Sequence, residues 1–387
     1  MEARRVDVWW KRAGPWVGIG TSPAALMAGG GLAEGLEGAT LAATLLTGVA
    51  ALCALATAQG IVGQRRGGTL VSVLEAPLGT MGARRVAGAV MALMMLGWFG
   101  VNVDAAGTAA ARLAGVPPTA GVVAFAVLAL AVTVRGVGQL SAAALVAGLA
   151  TTALALWSAA LLIRHGDVAF ASPHTATDPI SPLHGVGLMV GYGAAFALRT
   201  PDFTADLARA RHVVMCAVWG LAVPLAAFAS LGAAAYASTG TWHVAQMWGR
   251  LGSDRLGYAI IAVGFFGSVM TNLFSGALAT ASATRARPAV AMGAFFAGGL
   301  ALAVAGLADH MLDYLVLMAV AAPGLIALCV IGRRAPVRRW SGPGLAAWGL
   351  SIAAGLVAAR VVPALALPAA LVVSAAVYGG ARRRRPG

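Results

Sequence analysis

Runs of apolar residues about as long as a membrane-spanning helix recur from one end of this chain to the other, and the connections between them are short and rich in arginine. Taking about 20 residues per crossing, twelve spans are predicted, near 13–34, 39–63, 86–111, 119–134, 139–163, 185–198, 213–237, 257–283, 288–308, 311–332, 341–360 and 363–381. Backbone surrounded by hydrocarbon has to satisfy its own hydrogen bonds, so each run reads as a helix. Only 10% of the 387 residues are charged, against roughly 25% in soluble domains, which excludes a soluble fold. Such short connections leave room for one transmembrane domain, residues 1–387.

Arginine and lysine fix the expected orientation. With the N-terminus placed in the cytoplasm, all but five of the 27 basic residues fall in inside segments, the exceptions being Arg112, Arg164, Arg250, Arg255 and Arg360. Over short loops that asymmetry predicts both termini on the cytoplasmic side of a plasma (inner) membrane. Basic residues ahead of an apolar stretch also open a secretory signal peptide. The run from Gly14 to Leu36 is longer and richer in glycine than a signal's apolar core, which suits an interrupted helix better.

The net charge of +14 would suggest nucleic acid in a soluble chain. Here the arginines stand at the ends of apolar runs, where they meet anionic headgroups of the lipid bilayer, and no nucleic-acid partner is expected. Cys53, Cys216 and Cys329 lie inside apolar runs at spacings that suit neither a disulfide framework nor a metal cluster. His165, His174, His184, His212, His243 and His310 fall in connections or at span ends, so an intramembrane metalloenzyme has no ligand set. No cofactor and no enzymatic role are expected.

Two runs depart from a continuous helix. The first carries Gly18-Ile19-Gly20-Thr21-Ser22-Pro23 and the sixth carries Gly191-Tyr192-Gly193. Glycine weakens the helical ladder and proline removes a donor, so both spans are expected to be interrupted. Backbone freed at that depth lines a cavity or is buried in protein, and interruptions at corresponding places in two halves point to a transport site. Spans one and six are the first members of two groups of five, about 13–163 and 185–332, with two extra helices at 341–381. The bland alternative is that these glycines only permit close helix contact.

Polar residues in other spans extend this pattern. In the third, Met95, Trp98 and Asn102 fall at i, i+3 and i+7, placing an aromatic plane and an amide on one face where a flat ring could stack. Asp104 is the one acid well within a predicted span, and its distance from Arg85 places it towards the outer side. The eighth span carries Ser268, Thr271, Asn272 and Ser275 as a polar stripe. Such oxygens complete a small-cation site with carbonyls of a broken helix, or bond back to their own backbone. After the sixth span, Arg199-Thr200-Pro201-Asp202-Phe203-Thr204-Ala205-Asp206-Leu207-Ala208-Arg209-Ala210-Arg211 alternates acids and bases, as an inner gate or as a solvated turn. Residues 64–85 are too polar to span and are expected to lie against the bundle, with Glu75 solvated or paired to an arginine. The outer connections 164–184 and 238–256 are expected to hold short surface helices, and Trp242 and Trp248 read as interfacial.

These strings resemble a family. GIGTSPAALMAGGGLAEGL, GWFGVNV, TPDFTADLARAR and Met270-Thr271-Asn272 are similar, in order and spacing across about 270 residues, to the motifs of the nucleobase:cation symporter family 1, cytosine-permease-like branch. The resemblance implies a LeuT-like five-plus-five inverted repeat with two added C-terminal helices. It also implies cation-coupled uptake of a planar base held between helices one, three, six and eight. Three positions depart from the pattern. Met95 stands where the branch has a base-binding Gln, Gly193 where it has a stacking aromatic, with Tyr192 and Phe196 as substitutes, and Met270 where it has one of two sodium-site hydroxyls.

The resulting expectation is a secondary active transporter that imports a nucleobase such as cytosine, or a related planar heterocycle, by alternating access. Gly18 and Gly20 would offer free backbone, Trp98 a stacking face, and Asn102 and Asn272 polar contacts, with Met95, Tyr192, Gly193 and Phe196 around the ring. Ser268 and Thr271 would hold a co-transported cation. Neutral oxygens favour sodium over a proton, since Asp104 lies far from the midplane. The alternatives are another solute on the same fold, such as hydroxymethylpyrimidine, allantoin or an amino acid, and a membrane-embedded enzyme. The sequence is silent on oligomeric state.

Overall fold

The computed structural model describes residues 6–164, 178–305 and 311–383, with side chains from 320 onward in the last stretch. Arg4, Arg5, His165, His174, His310, Arg384, Arg385 and any helix between 165 and 177 lie outside the described residues. All twelve expected spans are helical where described, and the boundaries fall within a few residues of the apolar runs.

The first span is broken. Helix α1 (Gly14–Gly20) ends at Thr21, and α2 (Pro23–Gly35) starts afresh with extended Ser22 as its N-cap, whose hydroxyl accepts from the Ala24 N–H at 3.3 Å. Pro23 at the first helical position has no N–H to leave unsatisfied, so Ser-Pro both stops one helix and starts the next. Helices α3 (Gly38–Arg66) and α4 (Leu70–Leu78) follow, the latter lying against the bundle with most of its residues buried, as expected for the 64–85 segment. Within that segment Glu75 accepts from Arg84 Nε at 2.9 Å.

Next come α5 (Gly88–Ala114), α6 (Pro118–Thr133) and α7 (Val137–Arg164), then α8 (Pro182–Arg199) as the sixth span. Contrary to expectation, α8 runs unbroken through Gly191–Tyr192–Gly193; the chain turns only at Thr200, before the short α9 (Pro201–Thr204). Glycines without an adjacent cap or proline stay helical when neighbouring side chains fill the space. Gly193 does this against Leu52, whose Cδ1 would stand 2.9 Å from any added Cβ.

The seventh span combines α10 (Ala210–Met215), a π-helical stretch Cys216–Ala222 and α11 (Val223–Thr239). The short α12 (Val244–Arg250) leads to α13 (Asp254–Thr284), α14 (Pro288–Val304), α15 (Met311–Gly332), α16 (Gly342–Val361) and α17 (Ala366–Arg383). Among the described residues, seven helices are long and apolar enough to cross a membrane unaided. The first span misses that measure because it is cut in two, and α6 and α14 because they are 16 and 17 residues long.

Packing sets the centre. Helix α13 lies along α5, α3 along α8, and α2 along α11, while α16 and α17 pair with each other and with α15. In α13, 72% of the apolar window is buried, against 17% for the last span, so the eighth span is an axis and the last is lipid-facing rim. Close approach at that axis depends on small residues: a Cβ on Gly18 would stand 3.2 Å from the Gly267 Cα, with Ala144 of α7 alongside. Trp248 is fully buried rather than interfacial, and Trp242 stacks on His243 with ring centroids 4.1 Å apart.

Candidate functional site

A small cavity opens beside the break in the first span. It is lined by Ile19, Ser22 and Ala24 of that break, Trp98 and Asn102 of α5, Tyr192, Ala195, Phe196 and Arg199 of α8, and Phe265, Ser268 and Asn272 of α13. Spans one, three, six and eight therefore converge. Its volume is about 30 Å³, room for a single water-sized group. A larger cavity of about 770 Å³ adjoins it towards the end of the bundle that carries Glu34, Trp242, His243 and Gln246. The two share Ala24, Trp98, Asn102, Tyr192 and Phe265.

The polar atoms at this junction are few and defined. Asn102 is buried, and its Oδ1 has no hydrogen-bond partner among the described residues, a costly state unless a ligand or water answers it. Tyr192 donates its hydroxyl to the Ile19 carbonyl, tying α8 to the last turn of α1. Ser268 donates to the Gly18 carbonyl at 3.5 Å, and Thr271, wholly buried, donates to the Ser268 carbonyl at 2.9 Å.

Beneath the cavity lies an aromatic layer. Trp16 meets Phe196 edge-on with centroids 5.3 Å apart, Phe196 stacks on Phe203 at 6.0 Å, and Phe203 reaches Phe274 at 6.2 Å. Further down, the N-terminal segment pairs with the segment after α8. The Val6 N–H donates to the Asp206 carbonyl at 2.8 Å, and the Ala208 N–H donates to the Val6 carbonyl at 3.0 Å. Asp202, in the connection between the sixth and seventh spans, accepts from the Leu70 N–H at 2.8 Å and so holds the start of α4. Burial pushes its carboxyl up from the usual 3.8 to about 6, while the Leu70 N–H and the Arg199 charge pull it back. The cavity is thus closed towards Arg12 and open towards Trp242.

Several expected site residues stand elsewhere. Gly18 and Gly20 do not line the cavity: Gly18 packs on Gly267, and Gly20 faces the carbonyls of Gly220 and Leu221 in the π-helical stretch. The free backbone at the break comes from Ile19 to Ser22 instead. Met95 is buried outside both cavities, because seven residues of helix set it about 10 Å along the axis from Asn102. Gly193 serves the contact with Leu52. Trp98, Asn102, Tyr192, Phe196, Asn272 and Ser268 all line the small cavity, and Thr271 lies behind it. Asp104 lines neither cavity and accepts from the Thr108 hydroxyl at 3.3 Å.

Sequence reasoning missed Arg199. Counted among the cytoplasmic loop charges, it is only 2% exposed, lines the small cavity, and has its guanidinium carbon 5.6 Å from the Phe196 ring centroid and 5.9 Å from that of Phe203. The signal was present: Tyr192, Phe196 and Arg199 fall at i, i+4 and i+7. Helical side chains also lean towards the N-terminus, so an arginine at the C-terminal end of α8 leans back into the bundle.

No protein-family profile and no curated protein sequence matches the chain. Solved structures do match. Mhp1, a nucleobase-cation-symport-1 family transporter, in a closed conformation with bromovinylhydantoin bound, superposes with a TM-score of 0.82 at 16% identity, covering 98% of this chain and 93% of that one. Its inward-facing form gives 0.77 at 16% identity, over 99% and 92% of the two chains. A Na⁺-coupled sialic acid symporter, substrate-bound and outward-open, gives 0.68 at 13% identity, over 99% and 93%. Likeness at these identities is likeness of fold. This multi-pass membrane chain has the LeuT-like fold, a five-plus-five inverted repeat followed by two helices.

Proposed function

We propose that the chain is a secondary active transporter importing a nucleobase or a related planar heterocycle together with a cation, by alternating access to the cavity at the break of the first span. One observation carries the reading: aromatic faces and an unanswered amide oxygen converge where a helix is interrupted at mid-membrane. Trp98, Tyr192 and Phe196 supply flat apolar surface, and Asn102 and Asn272 supply amides that pair with ring N–H and carbonyl groups. A ring seated at the junction of the two cavities would rest on Trp98 with Asn102 at its edge. The bound bromovinylhydantoin of Mhp1, also a planar ring, supports this substrate class.

Alternating access follows from the two ends of the site. The wide cavity gives entry from the Trp242 side, which the arginine distribution assigns to the outside of the inner membrane, with both termini in the cytoplasm. The aromatic layer and the paired segments at Val6 and Leu207 close the other side. Rocking the first and sixth spans against the third and eighth would exchange these conditions.

The test is a thermal-shift panel on purified protein with cytosine, hydantoin, hydroxymethylpyrimidine, allantoin and L-phenylalanine, followed by uptake of any stabilising compound into proteoliposomes. Stabilisation by a planar heterocycle and its accumulation against a gradient are expected. Stabilisation by phenylalanine alone would move the chain to amino-acid transport on the same fold, and the absence of uptake would remove the transporter reading.

A further inference from the structure

The oxygens expected to hold sodium are engaged with each other and with a guanidinium. Thr271 Oγ1 donates to the Ser268 carbonyl at 2.9 Å and accepts from Arg199 Nη2 at 3.2 Å. The Ser268 hydroxyl donates to the Gly18 carbonyl at 3.5 Å. The next position that could supply a hydroxyl is Met270, fully buried. Arg199 therefore sets its charge against Thr271 of the eighth span, one turn from the contact of Ser268 with Gly18 of the first, and is flanked by the Phe196 and Phe203 rings.

An arginine here differs from a lysine or a histidine. Guanidinium does not lose its proton in a protein, so burial cannot neutralise it. A metal cation entering among the same oxygens would meet a fixed like charge a few ångströms away in a poorly screened interior. It would also have to take Thr271 from its present donor. The residues present thus fit a resident organic cation better than a transient sodium ion.

We propose that the Arg199 guanidinium is the built-in cation of the gap between the first and eighth spans, taking the place of sodium, so that the transport cycle runs without sodium. The charge that a bound ion would bring and carry away then stays with the protein. The contact of Arg199 with Thr271 then holds α8 to α13 whether or not an ion is present. This proposal rests on the transporter reading for its meaning, but its test needs no transport.

Purified full-length protein is unfolded thermally in rising sodium chloride, with choline chloride keeping ionic strength constant. Wild type is expected to unfold at the same temperature in both salts. Arg199→Ala, which vacates the gap and leaves Thr271, Ser268 and the Gly18 carbonyl, should gain a saturable, sodium-specific rise of a few degrees, whereas Arg199→Lys should remain indifferent. A saturable sodium-specific rise in wild type that Thr271→Ala removes would overturn the proposal, and that pair of measurements stands even if Arg199→Ala does not fold. An Arg199→Ala protein that folds yet ignores sodium would overturn it too, because the gap would then hold no cation site to fill. A wild type that ignores both sodium and every heterocycle would defeat the transport reading and leave the sodium-independent gap intact.

Discussion

Arg12 and Asp206, 194 positions apart in the chain, hold the start of the first span to the segment after the sixth. Arg12 Nε donates to both carboxylate oxygens, at 3.1 and 3.0 Å, and Nη2 approaches Oδ2 at 2.5 Å. The alternating charges after α8 are thus more than a solvated turn: one of them closes a contact between two elements that the proposed alternating access would separate. The contact lies directly below the aromatic layer of Trp16, Phe196 and Phe203.

Breaking this pair should favour the conformation open towards Arg12. The two side chains are 13% and 29% exposed, so the pair is partly screened and contributes about 1 kcal/mol, or roughly a fivefold shift in population. Either Arg12→Ala or Asp206→Ala should speed labelling of a single cysteine at Ala195 by an impermeant thiol reagent applied from the Arg12 side, with Cys53, Cys216 and Cys329 replaced. The exchanged pair Arg12→Asp with Asp206→Arg should restore slow labelling. If the single variants label at the wild-type rate, the pair does not hold the closed side.

Trp98→Ala should weaken binding of a planar ligand by roughly 1–3 kcal/mol, by analogy with bases stacked on aromatic side chains. Trp98→Phe should cost less because a smaller flat face remains. Asn102→Ala carries a sharper signature. Removing an unanswered buried oxygen should leave thermal stability unchanged or raised, while affinity falls by about 1 kcal/mol. Parallel calorimetric titration and thermal unfolding separate the two effects, and an Asn102→Ala variant that loses stability but keeps affinity would assign Asn102 to packing.

Orientation is checked by labelling at the two ends. A cysteine replacing Arg135, between α6 and α7, should react with an impermeant reagent only from the cytoplasm, and one replacing His243, beside Trp242, only from outside. The expectation follows from the arginine distribution over short loops. Reaction of both from one side would remove the twelve-span topology.

What the sequence made legible divides along physical lines. The spans could be read because hydrocarbon permits little besides helix, and the break at Ser22-Pro23 because a cap and a proline coincide there. The parallel break at Gly191–Gly193 could not be told from helix packing, because glycine is compatible with both and only the position of Leu52 decides. Trp98 and Asn102 were found by helical spacing, which also drew in Met95, since periodicity fixes the face and not the depth. Arg199 was hidden by the convention that a basic residue at a span end belongs to the loop. Its place depends on the lean of its side chain and on the room left beside Thr271, which spacing does not encode.

Asp202 gives a pH dependence whose sign can be worked out. Burial raises its carboxyl from 3.8 to about 6, so between those values the folded protein binds a proton that the unfolded chain has released. Through this group, stability is greatest below about pH 4, declines as pH rises through 6, and above that is lower by on the order of 3 kcal/mol. Asp202→Asn keeps an oxygen for the Leu70 N–H and removes the titration. Its thermal midpoint relative to wild type should therefore be lowest near pH 4 and rise steadily towards pH 7. Taking the difference between the two proteins cancels the other carboxylates, whose effect on stability generally runs the opposite way. A difference that stays constant from pH 4 to pH 8 would show that Asp202 titrates at its ordinary value, and that the connection holding α4 is open to water.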